Sequence, residues 1–300
     1  MVELQGFDTG LCRLFLKLET QNPTGSIKDR IALSMVHAAA SDGLLAPGDT
    51  IIEATSGNTG LALGLVAAVE GYHLITVVPD QLPWQKLTHL RALGAEVCVT
   101  RADVPPEHPD FFERLAATMA ETIGALHIDQ FSNPANPLAH ARTTGPEIWE
   151  QLDHDVDAVV CGVGSGGTIT GLSWFFASVQ PELELVLADP EGSALASFVE
   201  TGTLRATRPS TIEGIGNSYV PAVADLSRVR EAFTISDEES LVAVKGLLRH
   251  TGIFAGTSSG TMIAAALRYC RGQRVPKRVV TFVGDSGSKY ISKVFGGSHG

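Results

Sequence analysis

The sequence predicts an α/β protein built on mostly parallel sheets. Three observations predict it. Short apolar runs alternate with helix-length segments along nearly the whole chain. Several of those runs end in loops of glycine, serine and threonine that open directly into a helix. The composition, 44% hydrophobic and 18% charged over 300 residues, is core-forming and large enough for two domains or one large α/β unit.

The elements follow in order. Residues 11–18 are apolar and form a strand that can pair. A helix over 27–40 begins after the turn Asn22-Pro23-Thr24-Gly25 and ends near Gly43. A strand over 50–54, a helix over 61–70 and a strand over 74–78 come next. A helix over 84–93 leads to a strand over 96–100. Beyond a proline-rich stretch at 105–109 lie a helix over 111–123 and a strand over 126–128. Asparagine and proline dominate 132–137, which marks a domain junction. The second half repeats the rhythm: strand 158–162, helix 168–179, strand 183–188, helices 241–251 and 261–271, strand 279–283. In such sheets ligands bind beyond the carboxyl ends of the strands.

Several functions are disfavoured. Net charge is −11 and the Lys and Arg residues are scattered, so neither nucleic acid nor an anionic membrane is an expected partner. The longest apolar run, 61–69, is too short to span a bilayer, and no signal-peptide pattern opens the chain. Cys12, Cys98, Cys161 and Cys270 form no CxxC pair and read as buried reduced thiols, which suits a cytoplasmic protein. Nine histidines fall in no HxxxH or HExxH pattern, so no metal is expected.

Four segments carry chemistry. In Asn22-Pro23-Thr24-Gly25-Ser26-Ile27-Lys28-Asp29-Arg30, Lys28 opens a helix. The helix N-terminus carries roughly +0.5 of partial charge, which disfavours an ammonium and suits a lysine that must act as a neutral nucleophile. Thr55-Ser56-Gly57-Asn58-Thr59-Gly60 joins a strand to a helix and offers amides and hydroxyls to a carboxylate or phosphate; a plain capping loop is the ordinary alternative. Within Gly162-Val163-Gly164-Ser165-Gly166-Gly167-Thr168, the run Gly164-Ser165-Gly166-Gly167-Thr168 makes a compact cup for a phosphate monoester. The full segment also matches GxGxxG, with Asp189 at the end of the next strand, so a dinucleotide site is the competing reading. In Gly284-Asp285-Ser286-Gly287 a small hydroxyl at a strand's end can meet a heterocyclic nitrogen, unless the Asp285 carboxylate does so instead.

A lysine for a Schiff base, a cup for a phosphate, an asparagine for a phenolic oxygen and a serine for a ring nitrogen together describe pyridoxal 5′-phosphate. With these segments in this order, and with 130–140, Thr143-Thr144-Gly145-Pro146-Glu147-Ile148 and Glu213-Gly214-Ile215-Gly216, the chain resembles the fold-type II pyridoxal-phosphate enzymes. It is most similar to the cysteine synthase and cystathionine β-synthase family. The resemblance implies two three-layer α/β/α domains, tryptophan synthase β-like: a smaller one at 22–133, and a larger one from 1–21 plus 134–300. It implies Lys28 as the cofactor-bearing lysine and later the base for the substrate Cα proton. Asn58 would meet the cofactor 3′-oxygen, Gly164, Ser165, Gly166, Gly167 and Thr168 its phosphate, and Ser286 its ring nitrogen. Thr55, Ser56, Gly57, Thr59 and Gln130 would hold the substrate carboxylate, and Gly214, Ile215 and Gly216 would line the site near the amino group. The activity implied is β-replacement on L-serine, or an O-activated serine, by a thiol through an aminoacrylate. The favoured version joins L-serine and L-homocysteine into cystathionine; the alternative is cysteine synthesis from O-acetyl-L-serine and sulfide. A homodimer is expected, as is common in this family.

Overall fold

A computed structural model describes residues 1–55, 57–82, 84–105, 107–205 and 211–294. The elements run β1 (Val2–Glu3), β2 (Arg13–Leu18), α1 (Lys28–Ser41), β3 (Thr50–Ala54), α2 (Asn58–Glu70), β4 (His73–Pro79), α3 (Trp84–Ala92) and β5 (Glu96–Thr100). Next come α4 (Phe112–Ile123), β6 (Leu126–His127), α5 (Ala135–Ala139), α6 (Gly145–Gln151), β7 (Ala158–Cys161), α7 (Gly167–Val179) and β8 (Glu184–Pro190). The chain ends with α8 (Leu195–Thr201), β9 (Val229–Ile235), α9 (Asp237–Thr251), α10 (Thr257–Gly272), β10 (Arg278–Val283) and α11 (Ile291–Val294).

Two compact units divide the chain, one of residues 22–136 and one of 1–21 with 137–300. The unit of 22–136 holds a four-stranded sheet in the order β5-β4-β3-β6, parallel throughout. Ile52, Ala54, Ile75 and Val77 pack under Ala116 and Ala120 of α4. Strands covered on both faces read as continuous apolar runs, and β3 and β4 do over 51–54 and 74–79, apart from Glu53 and Thr76. The other unit holds a six-stranded sheet in the order β1-β2-β10-β7-β8-β9, in which only β1 runs antiparallel.

Some elements differ from the sequence expectation for physical reasons. β9 carries exposed residues along VREAFTI and shows no apolar run. Helix α9 begins four residues before the expected 241, because Ser236 accepts the Glu239 N–H at 3.2 Å and Glu239 returns a bond to the Ser236 N–H at 3.0 Å. Helix α10 likewise starts at Thr257, since Thr257, Ser258, Ser259 and Thr261 are buried inside the unit despite their polarity. Cys12, Cys161 and Cys270 are buried free thiols, while Cys98 is half-buried. Burial pushes the Cys161 thiol up to about 12, so it stays protonated and inert. Among the described residues, no helix is long and apolar enough to cross a membrane.

Close packing sets the sign of two glycine substitutions. A Cβ at Gly260 of α10 would collide with the Ser240 carbonyl of α9 and lie 2.7 Å from Val244 Cγ2. At Gly246 of α9 it would lie 3.5 Å from the Phe7 ring, an ordinary contact. Alanine in a helix is intrinsically better than glycine by about 0.8–1 kcal/mol. Gly246→Ala is therefore expected to leave stability equal or raised. Gly260→Ala is expected to cost about 1–3 kcal/mol through overpacking. Paired calorimetric melts of the two variants check this opposite sign.

Candidate active site

Three of the four chemical segments directly follow the carboxyl ends of parallel strands, after β3 in one unit and after β7 and β10 in the other, while Lys28 opens α1. In the unit of 22–136, β3 and β6 are neighbours, with Ile52 opposite His127. Both strands end at the same edge, which delivers Thr55 and Gln130 to one place. Thr55 Oγ1 accepts the Gly57 N–H at 3.0 Å and the Gly60 N–H at 3.2 Å, folding the loop into the start of α2. Gln130 Nε2 donates to Ala54 O at 3.1 Å, and its Oε1 accepts the Thr59 hydroxyl at 2.8 Å. Asn58 is the first residue of α2, half-buried. Ser56 lies outside the described residues.

Gly57 takes φ +134°, which side-chain-bearing residues rarely adopt. The space its side chain would need is filled by Lys86: a Cβ there would sit 2.8 Å from Lys86 Cδ and 3.5 Å from Nζ. Lys86 is only 5% exposed, so a buried lysine side chain borders the loop. Sequence reasoning missed it, since a lone lysine in the polar segment WQKLTHLRA carries no signal.

Lys28 is the first residue of α1. The turn before it is pinned: Gly25 N–H bonds Asn22 O at 2.8 Å, and Asn22 Nδ2 bonds Ser26 O at 3.1 Å. The Asp29 carboxylate accepts the Thr24 N–H at 2.7 Å and the Thr24 hydroxyl. These bonds hold Lys28 on a fixed backbone at the positive end of the helix.

The other unit brings a second set together. The loop after β7 opens α7, whose cap Gly166 is left-handed (φ +95°) with no side-chain cap. The segment 162–168 contains no acidic residue. A Cβ at Gly164 would collide with Gly214 O, one at Gly162 would lie 2.8 Å from Ile215 Cγ2, and one at Gly166 2.5 Å from Ala224 Cβ. Ala224 is held there because Thr170 Oγ1 bonds Val223 O and the Asp225 N–H, each at 2.8 Å. The strip 214–217 docks on the loop: Gly216 N–H bonds Val163 O at 2.8 Å and Asn217 Nδ2 bonds Gly164 O at 2.7 Å. Ser165 and Gly167 are buried, and Thr168 Oγ1 lies 3.3 Å from Nε2 of the buried His140. Asn217 and His140 also went unpredicted, because neither lies in a motif that states a role. A loop closed to side chains, free of acid and opening an uncapped helix fits a phosphate group.

Ser286 caps the short turn after β10, its Oγ accepting the Ser288 N–H at 3.3 Å. Asp285 is buried, and its Oδ2 accepts the Tyr290 hydroxyl at 2.6 Å. At the end of β8 lies Asp189, whose carboxyl burial pushes up to about 6 against donors from Ala196, Ser193 and Leu195. Asp189 Oδ2 accepts the Ala196 N–H at 2.8 Å, so its carboxylate binds the chain's own turn.

Known proteins of similar sequence and fold point to one family. The family model described as pyridoxal-phosphate dependent enzyme matches residues 1–285. A cystathionine beta-synthase of Apis mellifera is 38% identical over 94% of this chain, which spans only 56% of that relative's length. Cysteine synthase A of Escherichia coli strain K12 is 37% identical, covering 93% of this chain and 87% of that one. The crystal structure of an O-ureido-L-serine synthase superposes with a TM-score of 0.91 at 33% identity, over 100% of this chain and 93% of the other. The chain belongs to the pyridoxal-phosphate dependent enzyme family, on the branch of the cystathionine and cysteine synthases.

Proposed function

We propose that this chain catalyses β-replacement on L-serine, or on an O-activated serine, by a thiol. The favoured reaction joins L-serine and L-homocysteine into cystathionine. The observation that carries the cofactor half of this reading is the loop 162–168, where side chains at Gly164 and Gly166 have no room and α7 opens with no side-chain cap, leaving backbone amides for an anion. The dinucleotide reading of the same glycines gains nothing from Asp189, which is occupied by the turn at 193–196.

Bound pyridoxal phosphate supplies an electron sink for charge developed at the substrate Cα. Under this reading Gly164, Ser165, Gly166, Gly167 and Thr168 hold its phosphate, and Asn58 meets its 3′-oxygen. Ser286 meets its ring nitrogen, a choice supported by the Asp285 carboxylate being engaged with Tyr290. The Lys28 amine carries the cofactor at rest and takes the Cα proton once the amino acid is bound. Thr59, Gln130, Ser56 and the Gly57 backbone grip the substrate carboxylate. Thr55 contributes through the loop it folds, and Lys86 adds positive charge beside it. Gly214, Ile215 and Gly216 line the region of the substrate amino group.

Cysteine synthesis from O-acetyl-L-serine and sulfide is the second reading. The near-equal identity to relatives of both kinds favours keeping it.

Three expected outcomes test the proposal. Borohydride reduction of the cofactor-loaded protein should fix the label on Lys28, and Lys28→Ala should lose the label and at least about 10²–10⁴-fold in turnover. With L-serine, homocysteine and sulfide offered together, mass spectrometry should find cystathionine; cysteine alone selects the second reading. Gly164→Ala should release cofactor on gel filtration while Gly246→Ala retains it, because only the first places a methyl against Gly214 O. Full retention by Gly164→Ala, measured by absorbance, removes the phosphate assignment.

A further inference from the structure

Glu53 sits in the middle of the four-stranded sheet and is wholly buried. Ile52 and Ala54 face α4, so Glu53 points to the opposite face of β3, beside its register partner Thr76. Its Oε1 accepts the Gln130 N–H at 3.3 Å, and its Oε2 accepts no hydrogen bond from any described residue. Gln130 in turn organises the loop. Besides its bonds to Ala54 and Thr59, its carbonyl accepts Asn136 Nδ2 at 2.7 Å.

We propose that Glu53 is a positioning residue for the substrate carboxylate: as a neutral acid it anchors the Gln130 backbone, and through Gln130 it sets the Thr59 hydroxyl. The inference rests on the reading of the 55–59 loop and Gln130 as the amino-acid site.

Neutrality follows from the surroundings. An ionised carboxylate here would lie in a dry interior with no donor to its Oε2 among the described residues, and Asp129 adds a negative field. Burial pushes the Glu53 carboxyl from the ordinary 4.5 up to about 8, against the lowering effect of its bonds to Gln130 and Asp129. Two other titratable groups adjoin the region. His127 is opposite Ile52, on the α4 side, where burial disfavours its charged form; Lys86 lies beside Gly57. Neutral Glu53 leaves the loop free of added negative charge just where a carboxylate must dock. Ionised Glu53 draws the donors around Gln130 toward itself and repels the ligand.

The test uses the cofactor-loaded enzyme and L-alanine, an amino acid with no β-leaving group, titrated by the cofactor's absorbance. If only the neutral form is competent, the Kd of the wild type rises about tenfold between about pH 7 and about pH 9. Glu53→Gln keeps a neutral acceptor. Its Kd at about pH 7 stays within about threefold of wild type, and its rise with pH is correspondingly flatter. This comparison also cancels titration of the ligand's own amino group. Stability follows the same sign. The Glu53 contribution is fully present below about 4.5 and is lost as pH rises through about 8, so melts of the wild type fall over that window more than those of Glu53→Gln.

A second measurement needs no variant to fold. The infrared band of a buried protonated carboxyl in the wild type should fade together with L-alanine affinity. Equal pH dependence in wild type and Glu53→Gln, or no such band at about pH 6.5, overturns the proposal. If L-alanine leaves the wild-type spectrum unchanged at every pH, the amino-acid reading itself fails, and Glu53 with it.

Discussion

Every strand of a parallel sheet must finish at the same edge, and in each unit that edge carries the chemistry. The constraint acts before any side chain is chosen. Once β3 and β6 pair in parallel, the residues just past their ends, Thr55 and Gln130, meet though 75 positions separate them. Once β7, β8 and β10 pair in parallel, the turns after them at 162–166, 190–194 and 284–287 share one rim. Each rim then needs residues small enough for backbone to reach a ligand. Glycine at 57, 162, 164 and 166 meets that need, because at each of them a Cβ would meet an atom already in place.

Two buried acids near these rims show which electrostatic effect wins where. Asp189 and Glu53 are both fully inaccessible, and burial raises both. Asp189 has donors from Ala196, Ser193 and Leu195, which limit the rise to about 6, so it is ionised at neutral pH and staples the turn. Glu53 has as many lowering hydrogen bonds, from Gln130 and Asp129, but it is desolvated more completely and has a negative neighbour in Asp129, and it reaches about 8. With similar hydrogen bonding, depth of desolvation and a neighbouring charge decide whether an acid serves as a charge or as a neutral acceptor. In a chain of net charge −11, a site for anions depends on this local suppression of charge and on backbone dipoles.

The corner after β10 separates two residues that are adjacent in sequence. Asp285 is drawn inward: Tyr290 donates to its carboxylate, and its carbonyl accepts the Gly256 N–H at 3.0 Å. A Cβ at Gly256 would collide with Asp285 Oδ1, and one at Gly287 would lie 2.5 Å from the Phe254 ring, so the acid is packed as well as bonded. Ser286, one residue on, is left half-buried at the cap of the turn. Packing thus favours a hydroxyl over a carboxylate as the group offered at this rim. Under the proposed function, a hydroxyl partner would not force full protonation of a ring nitrogen, which would suit departure of a β-substituent over accumulation of charge at Cα.

How legible a feature is depends on whether a run of residues carries it or a register does. Alternating apolar and amphipathic runs gave away the strands and helices that flank the loops, and the loops themselves are runs of small residues. β9 escaped because its exposed positions break the apolar pattern, and the start of α10 escaped because burial, not composition, makes TSSG helical. The same division holds within the site. Lys28, Asn58 and the glycine cup stand out in any reading of the chain, since each sits in a strand–turn–helix signature. Glu53 does not. In sequence it is one acid in TIIEA; it acquires its surroundings only when β6 aligns with β3 and sets the Gln130 amide over it. Residues that touch a ligand tend to be written as motifs, because several must act together in a short span. Residues that hold those in place come singly, from wherever the sheet happens to bring them, and only the register names them.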